Sequence, residues 1–351
     1  MRLLATITTG LALLGTAPAP PAPSPSASSA PSVVTWGVAP SSPDGPNGRR
    51  AFTYKLDPGA TVTDYVAVTN HSTRTLTLSL YASDAFTTAH GGFDLLAGGQ
   101  QPTDVGSWVR FAERSVTIPS TSRLNVPFTL TVPDNATPGD HAGGVVAALA
   151  TTAADAQGNQ VAVDHRVGAR IYLRVTGELR PALTVENLRV RHAGSLNPLA
   201  GGELTATFTV RNTGNVRLAG RPTLEVAGPL GLGRRYVGAD LPEILPGGEV
   251  TTTVRMTGVP PLFRLTAGLT VTPAAVDDQV LDPPPRADTT RAAVWAVPWP
   301  QLALLISIGL AVWLLIVARR RRLRAIARAM AVAREQGRME VGRDIDRKDE
   351  Q

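Results

Sequence analysis

Apolar and polar residues alternate with a period of two over most of the chain. Leu76, Leu78 and Leu80 alternate with Thr75, Thr77 and Ser79, and Leu124, Val126, Phe128, Leu130 and Val132 repeat the pattern. Val167, Ala169, Ile171, Leu173 and Val175 form a third run, with Arg166, Arg170 and Arg174 on the opposite face. In an extended chain successive side chains point to opposite sides, so each run predicts a strand with one buried and one wet face, as in antiparallel sheets. A second group follows: Leu204 to Val210, Val250 to Met256, and Phe263 to Val271. No segment before residue 295 has helical period and helical length. Strands separated by Pro, Gly, Asn and Asp turns predict an all-β fold built from sandwiches.

The 268 residues from Pro31 to Pro298 fit two sandwiches better than one, at about 100 to 200 residues per domain. The expected boundary is Gly177 to Pro181, giving a first sandwich at 33–178 and a second at 179–290. The proline-rich stretch Pro283 to Pro300 is expected to be a stiff stalk.

The two ends read differently. A single Arg2, an apolar run from Leu3 to about Leu14, and then small residues and prolines make residues 1–30 a signal peptide with a Pro/Ala/Ser-rich leader. Cleavage fits after Ala17-Pro18-Ala19 or after Ser24-Pro25-Ser26. Trp295 to Ala318 carries no charge; at about 1.5 Å per residue it makes a helix long enough for a hydrocarbon core of about 30 Å. Trp295 and Trp299 are expected at the membrane interface. Arg319, Arg320, Arg321 and Arg322 follow at once, so the positive-inside rule puts residues 319–351 in the cytoplasm and the sandwiches outside a plasma membrane crossed once. Leu323, Ile326, Met330 and Ala333 recur at helical spacing, which predicts a basic cytoplasmic helix beside the lipid bilayer. A sortase-anchored wall protein would need an LPxTG-like motif before the span and a very short tail, and the chain has neither.

Charge changes the picture only once it is divided. The whole chain has net charge +6 and a pI near 10.2, which alone would suggest nucleic acid. From Pro31 to Pro298, however, Lys and Arg balance Asp and Glu at 22 each. The excess lies at the two ends, so it reports topology and no nucleic-acid partner is expected. The absence of cysteine excludes a disulfide framework, thiolate metal sites and a cysteine nucleophile.

Chemistry is sparse. His71, His90, His141, His165 and His192 have no metal-ligand spacing and no H-E-x-x-H. There is no G-x-S-x-G, P-loop or dinucleotide fingerprint. Asp134 to Asp140 lacks the spacing of a calcium loop. Asn70-His71-Ser72 and Asn135-Ala136-Thr137 are sequons. No enzyme, no metal and no cofactor are expected.

Several phrases occur in order in the first sandwich: Leu56-Asp57-Pro58-Gly59, Asp64 to Ser72, Leu80 to Ala85, Gly91-Gly92-Phe93, Trp108 to Phe111, Val132-Pro133-Asp134, and Pro138 to Val145. Together with the overall layout they resemble the WxL-interacting protein family of Gram-positive bacteria. Val210 to Asn215 in the second sandwich is a turn phrase of bacterial immunoglobulin-like modules. Only Lys55 and Lys348 are lysines, which suggests a GC-rich genome such as an actinobacterium's. The resemblance implies two immunoglobulin-like sandwiches, peptidoglycan as partner of the first, and an exported surface protein, of WxL-domain type in that family, as a further partner. Glycan recognition needs aromatic faces beside amide, carboxylate and guanidinium groups. The candidates are Tyr81, Asp84, Phe86, Phe93, Trp108 and Arg110. Two other classes compete: a chaperone-like assembly module that adds a strand from exported partners, favoured by an exposed apolar edge and opposed by a fully paired or charged one, and a wall-glycan enzyme, which needs a cleft with paired carboxylates.

Overall fold

The structure is a computed structural model that describes residues 34–154, 159–229, 231, 233–277 and 279–349. The expected signal peptide and leader lie outside these residues. In chain order the first set of strands is Trp36–Ser42 (β1), Gly45–Pro46 (β2), Phe52–Leu56 (β3), Thr61–Asn70 (β4), Leu76–Thr87 (β5) and Phe93–Leu95 (β6). After a helical turn, Val105–Trp108 (α1), come Val109–Phe111 (β7), Ser115–Ile118 (β8), Arg123–Thr131 (β9), Gly139–Ala154 (β10) and Gln160–Val175 (β11). One sheet has the order β2-β1-β4-β9-β7; the other has β3-β11-β10-β5-β6, with β8 also on β5. The period of two sets what lies between them: Val68, Leu78, Leu80, Ile118, Phe128, Leu130 and Ile171 are fully buried. Phe52 meets Phe128 edge to face at 5.1 Å between centroids, a preferred aromatic geometry. Leu124, expected inside, is instead 39% exposed at the start of β9.

The second set is Leu183–Ala193 (β12), Gly202–Asn212 (β13), Leu218–Ala227 (β14), Gly233–Val237 (β15), Leu241–Ile244 (β16), Glu249–Val259 (β17), Phe263–Ala275 (β18) and Asp288–Ala296 (β19). Its sheets are β12-β13-β17 and β15-β14-β18-β19, with β16 on β14. Leu204, Ala206, Phe208, Val210, Leu218 and Leu269 fill the space between. The chain is thus mostly β, with one long helix, Trp299–Asp349 (α2).

Two expectations change at the C-terminal side. Asp288–Ala296 is not stalk: it pairs antiparallel with Val271–Phe263, down to Phe263↔Ala296. Trp295 belongs to this strand, opposite Arg264, so the long helix begins at Trp299 and not at Trp295. Pro298, before the first helical residue, has no N–H to place, and its carbonyl accepts from the Leu302 amide at 2.9 Å. From Trp299 to Glu335 the helix is long and apolar enough, by length and composition, to cross a membrane, and none of its most apolar 18-residue window is buried among the described residues.

Where the two sandwiches meet, the loops interlock through their backbones. The Asp140 amide donates to the Asn215 carbonyl at 2.7 Å, and the Thr251 amide donates to the Ala89 carbonyl at 3.2 Å. The Leu245 amide donates to Thr87 Oγ1 at 3.0 Å. Gly139 has φ 121° and Gly91 has φ 82°; a Cβ at the first would strike the Asn215 carbonyl, and at the second Pro242. Both glycines therefore allow the close approach as well as the turn. Ala142, Tyr172 and Leu245 are buried in the joint, with Phe93 packed against them.

Candidate functional site

The long hairpin β10–β11 builds the most distinctive surface. Its two strands pair over their full length, Gly139↔Val175 to Ala154↔Gln160. On its other side β11 meets β3 only over Ile171–Val175. Among the described residues Gln160–Arg170 therefore has a ladder partner on one side alone, and its second row of backbone groups is open. Val167 is half-buried toward the core while Ala169 is buried; Asp164, Arg166 and Arg170 are exposed on the outer face. A shallow groove of about 250 Å³ lies on the outer face of the hairpin, lined by Phe93, Asp94, Leu95, Val146, Arg166, Gly168 and Arg170. The Arg166 guanidinium donates to the Leu96 carbonyl at 2.9 Å, and that of Arg170 lies 4.5 Å over the Phe93 ring. Both arginines are thus held in place along the edge. The edge is open but charged, with Asp164 beside Arg166 and Arg170, where strand addition was expected to use an apolar edge.

At its root this edge runs into the cleft between the sandwiches, about 670 Å³ in volume and lined by Arg49, Arg50, Arg170, Arg217, Glu243 and Asp277. Arg217 is the hub: buried, it donates to Glu243 at 2.9 Å and to Asp277 at 2.9 Å. Its backbone amide reaches Asp140 at 2.9 Å, and its guanidinium lies 4.0 Å over the Tyr172 ring. Arg174 holds the same Asp140 by two bonds, at 2.6 and 2.7 Å. Burial alone would lower the pKa of Arg217; hydrogen bonding to Glu243 and the charges of Glu243, Asp140 and Asp277 outweigh it and raise it. The wall-glycan enzyme reading asks for a carboxylate pair, and Glu243 and Asp277 both line this cleft, yet both accept hydrogen bonds from Arg217.

The glycan candidates do not converge. Asp84 is buried and its carboxylate accepts the amides of Thr103 (2.6 Å), Asp104 (2.9 Å) and Gly106 (2.7 Å), tying down the segment that covers β5. Phe93 packs edge to face on Tyr172 in the joint, 5.9 Å between centroids. Trp108 packs against the core of the first sandwich and on the His141 ring at 4.9 Å. Phe86 is exposed on β5. Only Tyr81 and Arg110 share a surface, a groove of about 470 Å³ that also holds Gln100 and Gln101. The Tyr81 hydroxyl is buried there without a hydrogen-bond partner among the described residues.

His141, one of the histidines without metal-ligand spacing, has a partner at each ring nitrogen. Nδ1 lies 2.7 Å from Asp104 and Nε2 lies 2.8 Å from the Thr137 carbonyl. Two acceptors suit an imidazolium, which donates from both nitrogens. Burial pulls its pKa down, but the bond to and charge of Asp104, the Thr137 carbonyl and the Asp140 charge outweigh it, so the net shift is upward. With both nitrogens facing acceptors, the arrangement favours the protonated ring and leaves neither nitrogen free to act as a base. Nothing local marks this, because Asp104 and His141 lie 37 residues apart. Among the described residues no cluster of three or more His, Asp or Glu is placed to hold a metal.

No family model matches the chain, and no curated protein does. Among solved structures it is similar to the class 5 fimbriae chaperone CfaA, at 11% identity and TM-score 0.34, over 75% of this chain and 100% of that one. It is also similar to the Pseudomonas aeruginosa CupB2 chaperone, at 8% identity and TM-score 0.29, over 71% and 99%. A third likeness is to the Salmonella enterica complex of SafA pilin with the SafB chaperone, at 10% and 0.32, over 70% and 96%. Superpositions this loose transfer neither partner nor activity, and the reading of this chain rests on its own geometry.

Proposed function

We propose that the protein is a non-enzymatic, membrane-anchored surface module that binds an extended segment of an exported protein by strand addition. The observation that carries this is the open edge Gln160–Arg170, which has no partner on one side along eleven residues among the described residues. Main-chain hydrogen bonds to such an edge supply affinity with little dependence on sequence, and the flanking side chains supply selectivity. Here Arg166 and Arg170 line the outer face, so the favoured segment alternates apolar with acidic residues. α2 holds the module at the bilayer, with the sandwiches outside and Arg319 to Arg322 inside. The resemblance to WxL-interacting proteins makes a WxL-domain protein the first exported partner to try. Peptidoglycan has less behind it, since the glycan candidates face different environments and only Tyr81 and Arg110 meet.

The test is a set of ten-residue peptides measured by fluorescence anisotropy against the purified full chain. An apolar/acidic alternating peptide is expected to bind, its lysine counterpart is expected to bind at least tenfold more weakly, and the double variant Arg166→Glu/Arg170→Glu reverses the order. Tenfold corresponds to about 1.4 kcal/mol, modest for two charge reversals at an interface. Failure of every peptide to bind would remove the proposal.

A further inference from the structure

The end of the second sandwich from which the long helix leaves is made of three loops, and none contains a charged residue. They join β12 to β13 (Gly194 to Gly201), β14 to β15 (described at Gly228, Pro229 and Gly231) and β17 to β18 (Pro260 to Leu262). Register places all three at one end: Ala193 pairs with Glu203, Gly202 with Val259, Ala227 with Gly233, and Phe263 with Ala296 at the mouth of the helix. The opposite end carries Glu178, Arg180, Asp240, Glu243 and Asp277 and is covered by the first sandwich through Arg217.

The charge-free end also shows its apolar side chains to the outside. Leu196 is 94% exposed and Leu199 92%, with Phe263 at 52%, Trp295 at 71% and Trp299 at 71%. Side chains of this size at one end of a soluble sandwich would be a liability in water. Only Val297 and Pro298 separate β19 from α2, too short a connection to lift this end off a membrane. The Gln301 side-chain amide, in the first turn of the helix, donates to the Pro198 carbonyl at 2.9 Å, between Leu196 and Leu199. The loop that carries both leucines is therefore tied to the helix at the level where the helix enters its apolar stretch.

We infer that this end of the second sandwich is a lipid-docking face: Leu196, Leu199, Phe263 and Trp295 sit in the outer interface of the bilayer that α2 crosses, and the module is seated on the membrane without a stalk. The inference rests on the reading that α2 spans a bilayer. Indole and leucine side chains gain at the headgroup and acyl boundary, while a loop with no charged side chain avoids the largest desolvation cost of entering it. Arg264, exposed beside Phe263 and opposite Trp295, meets the phosphate layer, so anionic lipid strengthens the seating.

The chain has no cysteine, so single labels are placed without background. Full-length Leu196→Cys and Leu199→Cys, both at fully exposed positions that do not contribute to the core, carry an environment-sensitive NBD group in vesicles of phosphatidylcholine and phosphatidylglycerol. Leu310→Cys reports the span and Thr77→Cys, on the first sandwich, reports solvent. Expected are a blue-shifted emission at positions 196 and 199, loss of most of it when doxyl-labelled lipid is included, and no change at 77. Quenching at 310 with none at 196 and 199 would overturn the docking face while leaving the anchor intact. No quenching at 310 would remove the anchor and the face together. A blue shift at 196 and 199 that lipid quenchers leave untouched would mean that a second copy covers the loop, which also overturns the inference.

Discussion

Asn70 and Asn212 close two strands in the same way. The Asn70 side-chain amide donates to the carbonyls of Arg74, Ile118 and Pro119 at 2.8 to 3.1 Å, and its oxygen accepts from the Ser72 amide at 2.8 Å. Asn212 donates to Val216 and Ile244 at 2.7 and 2.9 Å and accepts from Gly214 at 3.1 Å. Both are fully buried, so the first sequon offers no accessible amide for a glycan. Asn70→Ala or Asn212→Ala leaves buried carbonyls unpaired, at about 1–3 kcal/mol for a group so stranded; urea unfolding of the detergent-solubilised chain is expected to show a loss of that order or more. His141 adds a pH dependence. Its folded pKa lies above the ordinary histidine value, about 6.5. The stabilisation is therefore complete below that ordinary value and disappears as pH rises through the folded one. The melting temperature is expected to fall across that window, and His141→Gln flattens the fall. These ties were invisible in the sequence because they join residues far apart in it: the phrase around Asn70 stood out, but not the three carbonyls it reaches, and neither Arg217 nor His141 differs locally from any exposed residue.

At the scale of the strand, period two was sufficient wherever both faces had a definite environment. Leu76, Leu78 and Leu80 all face the core, and Phe208 and Val210 do the same in the second sandwich. It failed where a neighbour decides. Asp288–Ala296 alternates half-buried with exposed residues until the buried Ala296, follows a run of prolines and ends in an apolar stretch continuous with the long helix; its strand character comes from the partner β18 and not from its own composition. The free edge of β11 was likewise half legible: the alternation and its arginine face were plain, while the shortness of β3, which leaves Gln160–Arg170 unpaired, was not. Leu78 and Leu124 test the rule, since both belong to alternating runs but only the first is buried. Leu78→Ala is expected to cost about 2–5 kcal/mol, and Leu124→Ala much less, about 0.5 kcal/mol or so. Equal losses would mean that the exposed start of β9 is covered in solution.

For the whole molecule the joint between the sandwiches decides how the module behaves. Contacts between domains of one chain are often polar and loose, but this joint combines backbone bonds from both sides with a buried guanidinium whose three carboxylate partners come from both sandwiches: Asp140 from the first, and Glu243 and Asp277 from the second. Removing that cation by Arg217→Ala takes a partner from Glu243, which keeps the Tyr172 hydroxyl, while Asp140 keeps Arg174 and Asp277 is largely exposed, so the expected loss is about 1–3 kcal/mol, below that of a fully buried broken pair. The penalty falls on both sandwiches at once, so they are expected to unfold together in a single calorimetric transition. Gly139→Val tests the coupling without touching any charge. Its Cβ runs into the Asn215 carbonyl and its φ of 121° disfavours any side chain, so the joint must open while both cores stay intact. Two transitions in this variant, against one in the parent chain, are expected. A single transition in both would mean that the sandwiches are coupled through the cores themselves, and two in the parent would mean that the open edge and the lipid-facing end move independently of each other.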